Sequence, residues 1–161
     1  MPCYHFTYHA FGTWLPDQPD GYVRRDEGHL PQDTKTVVAY RKRMKVEEAE
    51  FDDLHQLAII DEVQLAATHQ SIRLHFIATE PTHVHILVSW QDDQKSFEKP
   101  KSAIRQSISR RLTREFSKRQ WLSEGGSRRK VVNQEHYDYL ICTYLPKHSG
   151  WKWSEDRGPH K

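Results

Sequence analysis

At 161 residues and 19.1 kDa the chain suits one domain over residues 1–161 with its own hydrophobic core, carrying a loop-rich insertion at about residues 17–52. Its 36% hydrophobic and 29% charged residues describe a polar, soluble protein, and no apolar run reaches a membrane span. The net charge of +2 hides an asymmetry: residues 1–90 carry 8 Lys/Arg against 13 Asp/Glu, whereas residues 91–161 carry 16 against 9. Basic charge gathered in one half among Trp, Tyr and Phe fits a nucleic-acid surface and, equally, a solvated helix face. The first residues lack the charged-then-apolar layout of a signal peptide, and Cys3 and Cys142 are expected to be a reduced pair in the cytoplasm.

From Tyr4 to Trp14 the residues alternate as in a strand, with Tyr4, Phe6, Tyr8 and Ala10 on one face and His5, Thr7, His9 and Phe11 on the other. Asp17 to about Arg43 is rich in Gly, Pro, Asp and Arg and is expected to be a long loop with little regular structure. Asp53 then reads as an N-cap, with Gln56 completing the capping box of a helix to about His69. Its apolar stripe is Leu54, Leu57, Ala58, Ile60, Val63, Ala66 and Ala67. Ile72–Thr79 is the next strand, with Leu74, Phe76 and Ala78 facing away from His75 and Ile77. After a break at Glu80-Pro81, His83 to Trp90 alternates again. His83, His85, Leu87 and Ser89 share one face; Val84, Ile86, Val88 and Trp90 share the other.

A polar connector, Gln91 to Pro100, leads to a basic amphipathic helix from about Lys101 to Arg119, with Ile104, Ile108, Leu112 and Phe116 as its buried line. Arg105, Arg110, Arg111, Arg114, Lys118 and Arg119 take its remaining faces. Gly125-Gly126 turns the chain into a short strand, Arg129-Lys130-Val131-Val132. Asn133 caps a last helix in which Tyr137, Leu140, Ile141, Tyr144, Leu145 and His148 recur at helical spacing, until Pro146 and Gly150 kink or stop it. The order is that of an α+β, ferredoxin-like (RRM-like) antiparallel sheet with helices on one face and an extra C-terminal helix. Val84, Ile86 and Val88 then lie under the helices, and His83 and His85 on the open face.

His83 and His85 point the same way and could hold one metal ion, although 11 histidines make a His-x-His pair unsurprising by chance. Tyr144 and His148, four residues apart, fall on one helix face. If that face covers the open sheet, a metal on His83, His85 and His148 could polarise a phosphodiester while the Tyr144 phenol attacks phosphorus. From pattern alone Tyr144 reads more readily as a member of the apolar stripe with Leu140 and Ile141 than as a nucleophile. His5, His9 and His75 are alternative ligands from neighbouring strands. The chain has no Gly-rich phosphate loop, no G-x-S-x-G elbow and no H-E-x-x-H motif.

Three stretches resemble the REP-associated tyrosine transposases of the single-tyrosine HUH superfamily. They are Tyr8-His9-Ala10-Phe11-Gly12-Thr13-Trp14-Leu15-Pro16, Thr82-His83-Val84-His85-Ile86-Leu87-Val88, and the run from Glu135 to His148. The resemblance implies His83 and His85 as ligands of a divalent ion (Mn²⁺ or Mg²⁺) and Tyr144 as nucleophile. His148 stands where the family usually has Gln or Asn as third ligand; three imidazoles favour softer ions such as Mn²⁺ or Zn²⁺ over Mg²⁺. It further implies cleavage and rejoining of hairpin-bearing single-stranded DNA through a 5′-phosphotyrosine, in a monomer or a homodimer, relatives differing in whether the tyrosine acts across subunits. Arg105, Arg110, Arg111, Arg114, Arg128, Arg129 and Lys130 are expected to track phosphate, and Trp14, Trp151 or Trp153 to stack unpaired bases. Two other readings are a non-catalytic single-stranded nucleic-acid-binding module on the same sheet and a metal-dependent hydrolase without a covalent step.

Overall fold

The computed structural model describes residues 1–13, 22–24, 28–31, 35, 38 and 47–161. Among these residues the strands are β1 (Cys3–His9), β2 (Tyr22–Arg24), β3 (Gly28–Leu30), β4 (Arg73–Glu80), β5 (His83–Ser89), β6 (Ser127–Lys130), β7 (Lys152–Ser154) and β8 (Gly158–His160). The helices are α1 (Asp53–His69), α2 (Glu98–Glu115) and α3 (Gln134–Tyr139), the last running into a π turn at Leu140–Tyr144. One antiparallel sheet takes the order β6-β1-β5-β4-β7-β8. Its first four strands, with α1 and α2 over one face, form the expected α+β ferredoxin-like unit. The β7–β8 hairpin, which extends the sheet, escapes the sequence because three-residue strands are too short to show alternation. β2 and β3 pair as a ribbon inside the stretch read as irregular. Most of the remaining 17–52 segment, and Trp14, lie outside the described residues.

The layer between sheet and helices is a single cluster. Phe6 and Tyr8 of β1, Ala10 just beyond it, and Val84, Ile86 and Val88 of β5 pack against Ile59, Ile60 and Val63 of α1 and Ile104, Ile108 and Leu112 of α2. Trp151 and Trp153 are half-buried and pack against the same cluster, which leaves each ring partly exposed. A second, smaller cluster on the opposite face joins Phe76, Ala78 and Leu87 to Leu140 and Leu145, and docks α3 and its π turn there.

Local chemistry moves several expected boundaries. The α1 cap is Asp52, whose Oδ1 accepts the His55 N–H at 3.0 Å while His55 Nδ1 accepts the Asp52 N–H at 3.2 Å. Gln56 is thereby freed from capping and buried. Leu54, expected in the apolar stripe, is solvent-exposed. α2 starts three residues earlier than expected because Pro100 fits its first turn, where a missing N–H costs nothing. It ends at Glu115, leaving Phe116 exposed at the C-cap. The strand expected at Arg129–Val132 is Ser127–Lys130.

β4 contains a bulge: Leu74 pairs with Val88 and Phe76 with Leu87, leaving His75 as the extra residue. Alternation therefore breaks at His75. Leu74 and Ile77 enter the helix-side core, while Phe76 and Ala78 face the other way, so the expected grouping of Leu74 with Phe76 and Ala78 does not hold. Asn133 caps α3 as expected, its Oδ1 accepting the His136 N–H at 2.8 Å. The last helix, however, does not reach His148. Leu145 N–H donates to Leu140 O at 2.9 Å, one residue beyond the α spacing, and Pro146 has no N–H to continue. No described helix is long and apolar enough to cross a membrane.

Candidate metal and tyrosine site

β5 delivers two of the site's imidazoles through strand alternation. His83 and His85 leave the sheet on the face opposite Val84 and Ile86, and β1 sets His9 and Thr7 directly beside them. His148 arrives from the turn after the π segment, not from a helix face as the sequence suggested. One ligand atom from each of His83, His85 and His148 lies within 4.8 Å of the other two. His85 and His148 are buried and His83 half-buried.

The hydrogen bonds around these rings orient them for a cation. His148 Nδ1 lies 3.0 Å from the Leu145 carbonyl, which can only accept, so Nδ1 carries the proton and Nε2 keeps its lone pair. His85 Nδ1 is engaged by His5 Nε2 at 3.0 Å and Thr7 Oγ1 at 2.9 Å. That leaves His85 Nε2 buried with no hydrogen-bond partner. An unsatisfied buried polar atom costs roughly 1–3 kcal/mol, and a ligated ion removes that cost. His83 Nδ1 contacts Thr82 Oγ1 at 2.9 Å. The donor set fits a divalent ion of intermediate softness.

The turn that carries His148 is held from three sides. Lys152, itself buried, donates from Nζ to the carbonyls of His148 (2.8 Å) and Gly150 (3.0 Å). Glu80, the residue opposite His83, accepts the Ser149 N–H at 2.6 Å and the Ser149 hydroxyl at 2.8 Å. Gln56 Oε1 accepts both the Thr79 hydroxyl and the Trp151 N–H at 2.9 Å, pinning the chain just past Gly150.

Burial, and after it the positive fields of His5, His83, His148 and His9, push His85 down to about 2. Burial and then Arg129 push His5 down to about 4, and burial and then His83 do the same for His9. His83 is lowered by burial and by His148, against the opposing field of Glu80. His5, His9, His83 and His85 are thus neutral near pH 7 and available as lone-pair donors. The sign for stability follows directly: a lowered folded-state value means the unfolded chain binds more protons below about pH 6.5. Stability is present above that pH and is lost as pH falls toward the folded values near 4. Urea unfolding of the metal-free protein should therefore show at least about 2 kcal/mol less stability near pH 4.5 than near pH 7. A flat profile over that range would contradict the burial of neutral imidazoles.

Tyr144 closes the π turn, with its ring centroid 5.2 Å from His148, 5.5 Å from His85 and 5.8 Å from His5. Lys147 Nζ sits 4.6 Å from the ring centroid. Burial raises the phenol above its ordinary value, and Arg129 acts in the opposite direction. Tyr144 also lines a cleft of about 270 Å³ that runs from His5 and Thr7 to β6.

The structure sorts the seven basic residues. Arg105 donates to the Ser123 carbonyl at 2.9 and 3.0 Å, and Arg111 pairs with Asp61 at 3.1 Å and Glu62 at 3.3 Å, so both serve the packing of α2. Arg110 and Arg114 are exposed on α2, which covers the other face of the sheet from Tyr144. Arg128 stacks over Phe97 at 4.1 Å. Arg129, opposite His5 in the β1–β6 register, lines the Tyr144 cleft, and Lys130 is exposed at the strand end. The chain segments alone do not reveal Thr7, Glu80, Ser149 or Lys152 as supports of the histidines; only strand register could have found Thr7. His75, turned by its bulge, is bound to Ser89 Oγ at 2.7 Å and Tyr137 Oη at 3.0 Å, and does not join the triad.

No family model matches the chain, and no curated protein matches it. Solved structures similar to this chain include two transposases. One is a REP-associated tyrosine transposase bound to a REP hairpin, at 8% identity over 90% of this chain and 70% of that one, with a TM-score of 0.47. The other is a protein from Deinococcus radiodurans R1 described as a transposase, at 16% identity over 93% of this chain and 94% of that one, with a TM-score of 0.49.

Proposed function

We propose that this chain is a metal-dependent enzyme that cuts and rejoins single-stranded DNA bearing a hairpin, through a tyrosine–DNA intermediate. The observation that carries the reading is the convergence of three imidazole ligand atoms within 4.8 Å, with the Tyr144 ring 5.2 Å from His148 and 5.5 Å from His85. A divalent ion (Mn²⁺ or Mg²⁺) held by His83, His85 and His148 would supply a Lewis acid to a phosphodiester oxygen. The Tyr144 oxygen forms the new bond to phosphorus, the bond to the 3′-oxygen breaks, and the phenol's proton ends on that oxygen as a 3′-hydroxyl. Reversal by a second 3′-hydroxyl joins strands without an external energy source. Arg129 supplies positive charge on the Tyr144 side, and Lys130, exposed at the end of the same strand, adds to it at longer range, which makes binding strongly salt-dependent. Arg110 and Arg114 are left to contact more distant parts of the strand.

The test is incubation of the protein with hairpin-bearing single-stranded DNA and Mn²⁺ or Mg²⁺, followed by denaturing electrophoresis. A protein–DNA adduct that survives SDS supports the proposal. Cleavage with no adduct favours a hydrolase that activates water, and binding without cleavage favours a non-catalytic module. A separate expectation concerns the Glu80 clamp. Glu80→Ala releases Ser149 and with it the His148 turn, and should weaken Mn²⁺ binding by about 10–100-fold in calorimetric titration while leaving the circular dichroism spectrum unchanged.

A further inference from the structure

The cleft beside Tyr144 contains more chemistry than attack on phosphorus requires. Ser127 and Arg129 on β6, and His136 and Tyr139 on α3, line it together with Tyr144. Among the described residues the Arg129 side chain has no hydrogen-bond or ion-pair partner, so its guanidinium charge stands unpaired in a concave site. His136 Nδ1 accepts the Val132 N–H at 3.3 Å, which places the neutral ring's proton on Nε2 and makes the free nitrogen a donor. Tyr139 is 50% exposed, with its ring centroid 6.2 Å from that of Tyr144. One cation, two neutral donors and one open aromatic face together match the phosphate and base of a single unpaired nucleotide.

We infer that this cleft is a nucleotide subsite: Arg129, Ser127 and His136 hold the phosphate next to the cleaved bond, and Tyr139 stacks the adjoining base. The inference rests on the proposed reaction at Tyr144 for the identity of the strand, but it adds residues that the chemistry itself does not use. Tyr139 acts by its ring face and not by its hydroxyl. The subsite reads the presence of an unpaired base and not its sequence, because every base offers a π face. It therefore favours a strand held open beside the hairpin over duplex.

The test separates binding from bond-making. The Tyr144→Phe chain, which cannot form the proposed adduct, is titrated in EDTA with a short fluorescein-labelled oligothymidylate and followed by anisotropy. Adding Tyr139→Ala or Arg129→Ala should each weaken binding about tenfold, and Tyr139→Phe, which keeps the ring, should restore it to within about twofold of the parent. Both side chains are solvent-facing and unbonded, so their loss spares the fold. Binding by the alanine variants within about twofold of the parent overturns the subsite, as does failure of Tyr139→Phe to restore it. Absence of any adduct from the unmutated chain with metal overturns the reaction instead, and leaves the binding result standing on its own.

Discussion

Tyr144→Phe should abolish the SDS-stable adduct while leaving metal and DNA binding in place. The phenyl ring preserves the ring contacts with His85, His148 and Lys147. What disappears is the only oxygen on that side chain able to bond phosphorus. Loss of a covalent nucleophile with its surroundings intact costs at least about a thousandfold in rate, which for a gel assay means no visible adduct. Mn²⁺ affinity measured by calorimetry should stay within about twofold, since no ligand is touched. An adduct of undiminished yield from the variant would assign the nucleophile to another residue. Loss of metal binding together with the adduct would show that the hydroxyl belongs to the ligand set.

Gly150→Ala should be the most damaging single methyl group in the described part of the chain. A Cβ at this position would lie 2.1 Å from the Thr79 carbonyl oxygen and 2.6 Å from Gln56 Oε1. Neither neighbour can retreat cheaply. The carbonyl belongs to β4, and Gln56 Oε1 is already bonded to the Thr79 hydroxyl and the Trp151 N–H inside a buried node. Overpacking costs about 1–3 kcal/mol and each broken buried bond about 1–3 more, so urea unfolding should show a loss of at least about 3 kcal/mol. Because the displaced segment begins two residues after His148, any folded fraction should also bind Mn²⁺ poorly. A loss below about 1 kcal/mol with metal affinity intact would show that the turn can shift as a unit.

The sequence reveals the two ends of the site better than the joint between them. His83 and His85 could be paired from alternation alone, because a strand's period of two leaves no freedom in which way they point. Tyr144 and His148 were placed together for the wrong geometric reason. An unbroken α-helix would have stacked them at four residues apart, whereas the chain uses a π turn and then an irregular turn fixed by Lys152 and Glu80. Glu80 is distant in sequence from the turn, and Lys152, four residues past His148, is chemically unremarkable until folded. His75 shows the same limit from the other side: one extra residue in β4 inverts the faces of everything before it, and no periodicity count can locate a bulge in an eight-residue strand. Gly150 looked like a helix terminator. It is glycine because another strand's carbonyl occupies the space a side chain would need.

The triad is made of imidazoles alone, and no carboxylate joins it among the described residues. Imidazole ligands bring no negative charge, unlike the acidic cages that hold ions unaided. The carboxylate of Glu80, the residue opposite His83, is committed to Ser149. On the proposed reading, a divalent ion held here would keep its double charge until a phosphate arrives to offset it. Ion and strand must then bind cooperatively, and by reciprocity the factor by which DNA tightens the ion equals the factor by which the ion tightens DNA. If the proposed reaction holds, such a protein would at low metal concentration be filled chiefly when a strand is present, so that loading and strand capture become one event.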